Sequence, residues 1–294
     1  MKNYRIITDS CVDLPDSLAK ELELDILPLK VTVKGKEYAN HLDNREISPE
    51  EFYDLLRQQN TAKTTQGNPQ DFIEILTPYL KEEIDILYLS FSSALSGTYN
   101  SGLIAKAQLL EEFPEREIVI IDTLCASMGE GLLVTLAARK RLGGESMEDV
   151  IDYVENIKLS ISHLFTVSDL GHLRRGGRLS ASSLVLGSLL NIKPLLHVNL
   201  KGELKVFGKS RGRFKSLNDL VTRMEKTYDF ERNEIIYISH GDCYEDAIYV
   251  RNLIIEKLGL KEDQFLINHI GPVIGAHAGV NTLAIFYIGN ERTD

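Results

Sequence analysis

Short apolar runs alternate with longer amphipathic stretches along the whole chain, and few architectures accept that rhythm. Tyr4–Thr8, Ile84–Ser90 and Glu117–Asp122 read as strands. The last two are followed by helical patterns near residues 96–112 and 127–142. Parallel strands need crossovers of that length, so the N-terminal half predicts a parallel sheet built from βαβ units. Ser48-Pro49-Glu50-Glu51 and Asn68-Pro69-Gln70-Asp71 are helix starts, each with a capping side chain before a proline. Asp25–Val33 reads as one further strand, closed by a Lys34-Gly35 turn, and residues 146–160 as a connector helix.

The second half differs. Ile192–Asn199 and Glu203–Phe207 flank Lys201-Gly202 and read as a hairpin, so antiparallel pairing enters here. Leu164–Val167 precedes them; helix 213–227, strand 234–239, helix 244–258, strand 264–269 and a strand near 283–288 follow. The expectation is an α/β protein of two domains. Residues 1–160 would form an N-terminal domain with a parallel sheet, and residues 161–294 a C-terminal domain with a mixed sheet. A chain of 294 residues has room for both at about 150 residues each.

Composition narrows the function classes. Net charge is −10, which argues against a nucleic-acid binder, whose footprint is basic. Cys11, Cys125 and Cys243 are too scattered for a disulfide framework or a metal site. No apolar run reaches the roughly 18 residues of a membrane span, and the start Met1-Lys2-Asn3-Tyr4 breaks too early for a signal peptide. The expected location is cytoplasmic.

Three motifs compete for a catalytic reading. Gly208-Lys209-Ser210-Arg211-Gly212 matches the G-x-S-x-G nucleophile elbow, with Asp242 and His269 or His277 as partners in a hydrolase acting on a small ester. Only about 80 residues follow it, too few for the rest of such a hydrolase sheet. Gly202 to Ser210 has one residue too many for a phosphate-binding loop, and no G-x-G-x-x-G opens the first βα turn. His240-Gly241-Asp242-Cys243 is a short strand-to-helix turn without a second ligand pair.

Four polar segments sit where α/β proteins build sites, at strand and loop ends. They are Lys63-Thr64-Thr65-Gln66, Ser92-Ser93-Ala94-Leu95-Ser96-Gly97-Thr98-Tyr99, Arg174-Arg175-Gly176-Gly177-Arg178-Leu179-Ser180, and the loop around His277, flanked by Gly275 and Gly279. The second opens a helix, whose unpaired amides and hydroxyl neighbours suit a carboxylate. The arginine cluster Arg174, Arg175 and Arg178 stands out in an acidic chain and suits a phosphate or an acidic partner surface. A phosphosugar-binding regulator would depend on Arg174 and Arg178.

Together with Ile7-Thr8-Asp9-Ser10, these segments resemble the DegV family of bacterial proteins, in order and along nearly the whole length. The resemblance implies a two-domain α/β fold of the DegV (EDD) type, parallel sheet first and mixed sheet second. It implies one long-chain fatty acid, such as palmitate, bound between the domains, with no cofactor or metal and no catalysis by this chain alone. Some members are the lipid-binding subunits of a fatty acid kinase, offering the carboxylate to a separate ATP-binding subunit that makes the acyl phosphate. By position, Thr64 and Ser96 would hold the carboxylate, with Thr65, Ser93 and His277 nearby. Arg211 would line the head-group region or the kinase-facing surface, and Arg174, Arg175 and Arg178 would face the partner. Neutral hydroxyl donors would hold the head group without locking it in an ion pair. Burying the tail would contribute about 0.8 kcal/mol per CH₂. This chain departs from the family pattern twice. Gly67 replaces a proline after Thr64-Thr65-Gln66, and Ala278-Gly279-Val280-Asn281 replaces a Gly-Pro-Gly after the histidine.

Overall fold

The computed structural model describes residues 3–168, 170–179, 191–290 and 292. Ser180, the end of the arginine-rich segment, lies outside the described residues. The first strands are β1 (Tyr4–Asp9), β2 (Asp25–Leu27), β3 (Lys30–Val33), β4 (Lys36–Ala39), β5 (Ala62–Thr65), β6 (Asp85–Ser90) and β7 (Ile118–Asp122). Four of them form a wholly parallel sheet in the order β2-β1-β6-β7. Every residue of β6 is buried, as befits a central strand covered on both faces. The helices Thr98–Glu112 and Met128–Leu142 follow β6 and β7 as the spacing predicts.

Asp25–Val33 is two strands rather than one. Pro28 has no amide hydrogen to continue the ladder, and the chain leaves the parallel sheet there. Beyond it, β3 pairs antiparallel with β4 and β5 in a small third sheet that the sequence reading did not foresee. This sheet matters for function because it places Thr64 opposite Val31 on a strand, where a loop was expected.

The later strands are β8 (Ile161–Thr166), β9 (Ile192–Val198), β10 (Leu204–Arg211), β11 (Ile236–His240), β12 (Phe265–His269) and β13 (Leu283–Ile288). They form a six-stranded sheet, β10-β9-β8-β13-β11-β12, in which only β11 and β12 pair in parallel. The mixed sheet is therefore as expected. β10 runs four residues beyond Phe207, across a bulge between Val206 and Gly208.

Caps explain the sharp helix starts. Ser48 accepts from the Glu51 amide, and Asn68 and Asp71 form a reciprocal capping box. The helix Met128–Leu142 is buried along most of its length. One apolar cluster joins Leu87 and Leu89 of the parallel sheet, Leu132 and Leu133 of this helix, and Phe165 and Phe286 of the mixed sheet. Two short helices, Gly171–Arg175 and Pro272–Ala278, stand where polar loops were expected. Neither is long enough to show a 3.6-residue period in sequence. Among the described residues, no helix is long and apolar enough to cross a membrane.

Candidate functional site

Thr64 and Thr65 are consecutive on β5, so their side chains leave opposite faces of the small sheet. Thr64 faces the helix Pro272–Ala278, which packs on β3 and β5. Its hydroxyl lies 2.8 Å from His277 Nε2. Thr65 is exposed, and strand alternation turns it away from His277.

His277 sits in the last turn of that helix. Pro272 stands at the start, and Gly279 ends the helix in the left-handed region with φ 83°. Thr282 Oγ closes the turn on the carbonyls of Ala278 and Gly279, at 3.0 and 2.9 Å. A hydroxyl thus finishes the turn after His277 in this chain. The His277 ring is pressed against Gly176, where a Cβ would lie 2.1 Å from Nδ1. Burial, then the charges of Arg178 and His172, push its pKa down to about 4. At neutral pH it is an uncharged imidazole, able to donate to a ligand or accept from Thr64.

The serine-rich segment reaches the same place from the parallel sheet. The Gln66 carboxamide lies against Gly97, where a Cβ would meet Oε1 at 2.4 Å. It covers the helix start that the sequence suggested for a carboxylate. Ser96 Oγ accepts from the Thr98 amide at 3.2 Å and shares a hydrogen bond with Thr98 Oγ1 at 2.9 Å. Ser93 is exposed, and its amide donates to Asp122. Arg178 turns inward. Its Nε donates to the Leu95 carbonyl at 2.9 Å and its other end to the carbonyl of Gly176, tying the arginine-rich segment to the serine-rich one. Arg175 and Arg174 are exposed. Arg211 is exposed at the end of the edge strand β10 and lines neither of the cavities described next.

Two cavities meet at His277 and Arg178. The inner one has about 610 Å³ of empty space, its mouth included, and an almost wholly apolar wall. Phe91 and Leu95 come from the first half of the chain, Phe165, Ile270 and Phe286 from the second. The outer one has about 950 Å³ and is lined by Lys63, Thr64, His172, Arg175, Arg178 and His277 among others, with no acid among its described lining residues. An apolar slot that opens through two polar side chains into a basic vestibule suits an amphiphile with an anionic head.

The sequence reading had not singled out Lys63 or His172 as lining residues. It also missed Ser127, which lines the inner cavity with φ 52° and donates to Asp13 at 2.6 Å. Burial, against the pull of the Ser127 and Gly271 hydrogen bonds, raises the Asp13 pKa to about 7. Nothing in its spacing marks Ser127, because its backbone geometry exists only in the folded chain.

The elbow motif does not assemble. Ser210 is buried within β10 and donates to Asp219. Asp242 pairs instead with Arg57. Among the described residues, no group of three or more His, Cys, Asp or Glu could hold a metal ion.

Similarity to known proteins points the same way as this geometry. The model of an uncharacterised-protein family, DegV, matches residues 3–290. A DegV domain-containing protein of Clostridium perfringens is 45% identical over 292 residues, covering 99% of both chains. A DegV family protein from Thermus thermophilus, described for its fatty acid binding, superposes with a TM-score of 0.86 at 30% identity, covering 98% of this chain and 99% of that one. A fatty acid binding DegV family protein from Streptococcus agalactiae gives 0.84 at 28% identity, covering 98% and 99%.

Proposed function

This chain belongs to the DegV family, and from that premise we propose that it binds one long-chain fatty acid and presents the carboxylate to a separate kinase subunit. The observation that carries the reading is the junction of the two cavities. An acyl tail fills the apolar slot between Phe91, Phe165 and Phe286, and its carboxylate emerges where Thr64, His277 and Arg178 meet. Both halves of the chain then contribute to both ends of the ligand: Thr64 with Arg178 and His277 at the head group, and Phe91 with Phe165 and Phe286 along the tail. Burying sixteen carbons at about 0.8 kcal/mol each is ample drive before ordering costs are subtracted.

The carboxylate contact in this reading is neutral: the Thr64 hydroxyl donates to it and accepts from the Nε2–H of an uncharged His277 imidazole. Ser96 lines neither cavity; it shapes the segment whose Leu95 carbonyl holds Arg178. A carboxylate held by neutral donors keeps one oxygen available to attack a phosphoryl group. The basic vestibule, with Lys63, Arg175 and Arg178, draws in the anionic lipid and offers an electropositive approach for a nucleotide-bearing partner.

The experiment is extraction of the denatured protein followed by mass spectrometry. About one fatty acid per chain is expected. Mixing the loaded protein with ATP and a kinase subunit of the family's type should yield acyl phosphate. An empty protein that also takes up no added palmitate refutes the binding reading. A loaded protein that yields no acyl phosphate with any such subunit refutes only presentation.

A further inference from the structure

A third cavity, of about 650 Å³ with its mouth, lies on the opposite face of the mixed sheet from the acyl slot. Ser162, Leu164, His197 and Tyr287 line it from the sheet, and Arg223 and Thr227 from the end of the helix Arg213–Glu225. Leu164 faces His197 and Ser162 faces Tyr287 in register, so these four share one face. Their neighbours Phe165 and Phe286 point the other way, into the slot. His163 and Val198 line both cavities and form the wall between them.

The charge balance of this cavity is one-sided. Arg292 is buried, and its donors go to the carbonyls of Ile161, Leu124, Asn199 and Lys158 and to the Cys125 sulfur. All five N–H groups of the guanidinium are thereby used on neutral acceptors, and among the described residues it has no carboxylate partner. Arg223 lies over the Phe207 ring at 5.9 Å and has no carboxylate partner among the described residues. The His197 ring meets Phe207 edge-on at 5.7 Å, and its nitrogens make no hydrogen bond among the described residues. No Asp or Glu occurs among the described lining residues. The carbonyls at the helix end, which would repel an anion, are taken up locally by the Thr227 hydroxyl and by the amides of Lys226, Thr227 and Tyr228. His163 is fixed as wall: Nδ1 donates to the Ile161 carbonyl and Nε2 accepts from the Ala126 amide.

We propose that this cavity binds the phosphate group of a small phosphomonoester, with Arg223 and His197 as donors, Arg292 as the charge behind them, and Phe207 against the ligand's apolar part. Two fixed cations and a titratable imidazole suit a dianion better than a single carboxylate. The Tyr287 hydroxyl is bonded to Thr227 Oγ1 at 2.6 Å and closes the rim.

The test is a titration of the protein with inorganic phosphate, phenyl phosphate and acetate at matched ionic strength, read at the His197 ring by NMR. Phosphate should give a saturable shift, and phenyl phosphate should saturate at lower concentration. Arg223→Gln should weaken both by roughly tenfold or more while leaving the melting temperature and the fatty acid content per chain unchanged. Arg292 is not the variant of choice, since its removal strands buried carbonyls. A linear response shared by acetate, or an unchanged affinity in Arg223→Gln, overturns the proposal. Neither result bears on the acyl slot.

Discussion

Gly176 and Gly177 are adjacent, and an added methyl should act oppositely at the two positions. Gly176 has φ −74°, which alanine adopts freely, but its Cβ would lie 2.1 Å from His277 Nδ1. Ordinary contact begins near 3.4 Å, so the ring must recede by about 1.3 Å. It cannot recede straight back, because Thr64 Oγ1 stands 2.8 Å beyond Nε2. The imidazole therefore swings aside, and the Thr64–His277 contact breaks. If these groups hold a carboxylate, the loss is one hydrogen bond to a charged group, about 1.5–3 kcal/mol, or roughly 10- to 150-fold in fatty acid affinity. Gly177 has φ 71° and nothing within 4 Å of a Cβ. Gly177→Ala should lower stability by about 1–2 kcal/mol through left-handed strain, and leave affinity alone. The assay is displacement of a fluorescent fatty acid from delipidated protein, beside thermal melts of both variants. Wild-type affinity in Gly176→Ala, or equal losses in both variants, would refute the argument that Gly176 seats His277.

Three further outcomes are expected. Ser96→Ala removes the acceptor for the Thr98 amide and should cost about 1 kcal/mol of stability; fatty acid retention should fall as well, and normal retention would take Ser96 out of the head-group network. His277 is held at about 4 when folded, against about 6.5 unfolded, so its favourable contribution is complete above pH 6.5 and is lost as pH falls toward 4. That amounts to on the order of 3 kcal/mol, visible as a steeper fall of melting temperature in wild type than in His277→Asn over that range; parallel curves would contradict the assignment. Ser210→Ala should leave fatty acid content intact and lower stability by about 1 kcal/mol through the lost bond to Asp219, whereas loss of an ester-hydrolysing activity in this variant would revive the elbow.

Much of this protein was legible before folding. Alternation of apolar and amphipathic runs determined the parallel sheet, the mixed sheet and the long helices, because hydrophobic periodicity and helix caps are local properties of the chain. Asn68 and Asp71 cap the helix their spacing announces, and β6 is as buried as its apolar run demands. The polar segments that mark the family were equally plain, and the four named above meet around His277 and Arg178. What the residues could not announce was how they face one another. Thr64 points at His277 and Thr65 points away because β5 pairs with β3, a contact across more than thirty residues of sequence. Arg178 reads as an exposed charge but turns in to the Leu95 carbonyl. Pro272–Ala278 reads as a loop but is a helix that aims His277 across 213 residues at Thr64. The apolar slot has no signature in sequence at all, since Phe91, Phe165 and Phe286 border one space only once two sheets close on the helix Met128–Leu142. Local chemistry chose the elements, and long-range packing, where side-chain direction and burial are settled together, made the site from them.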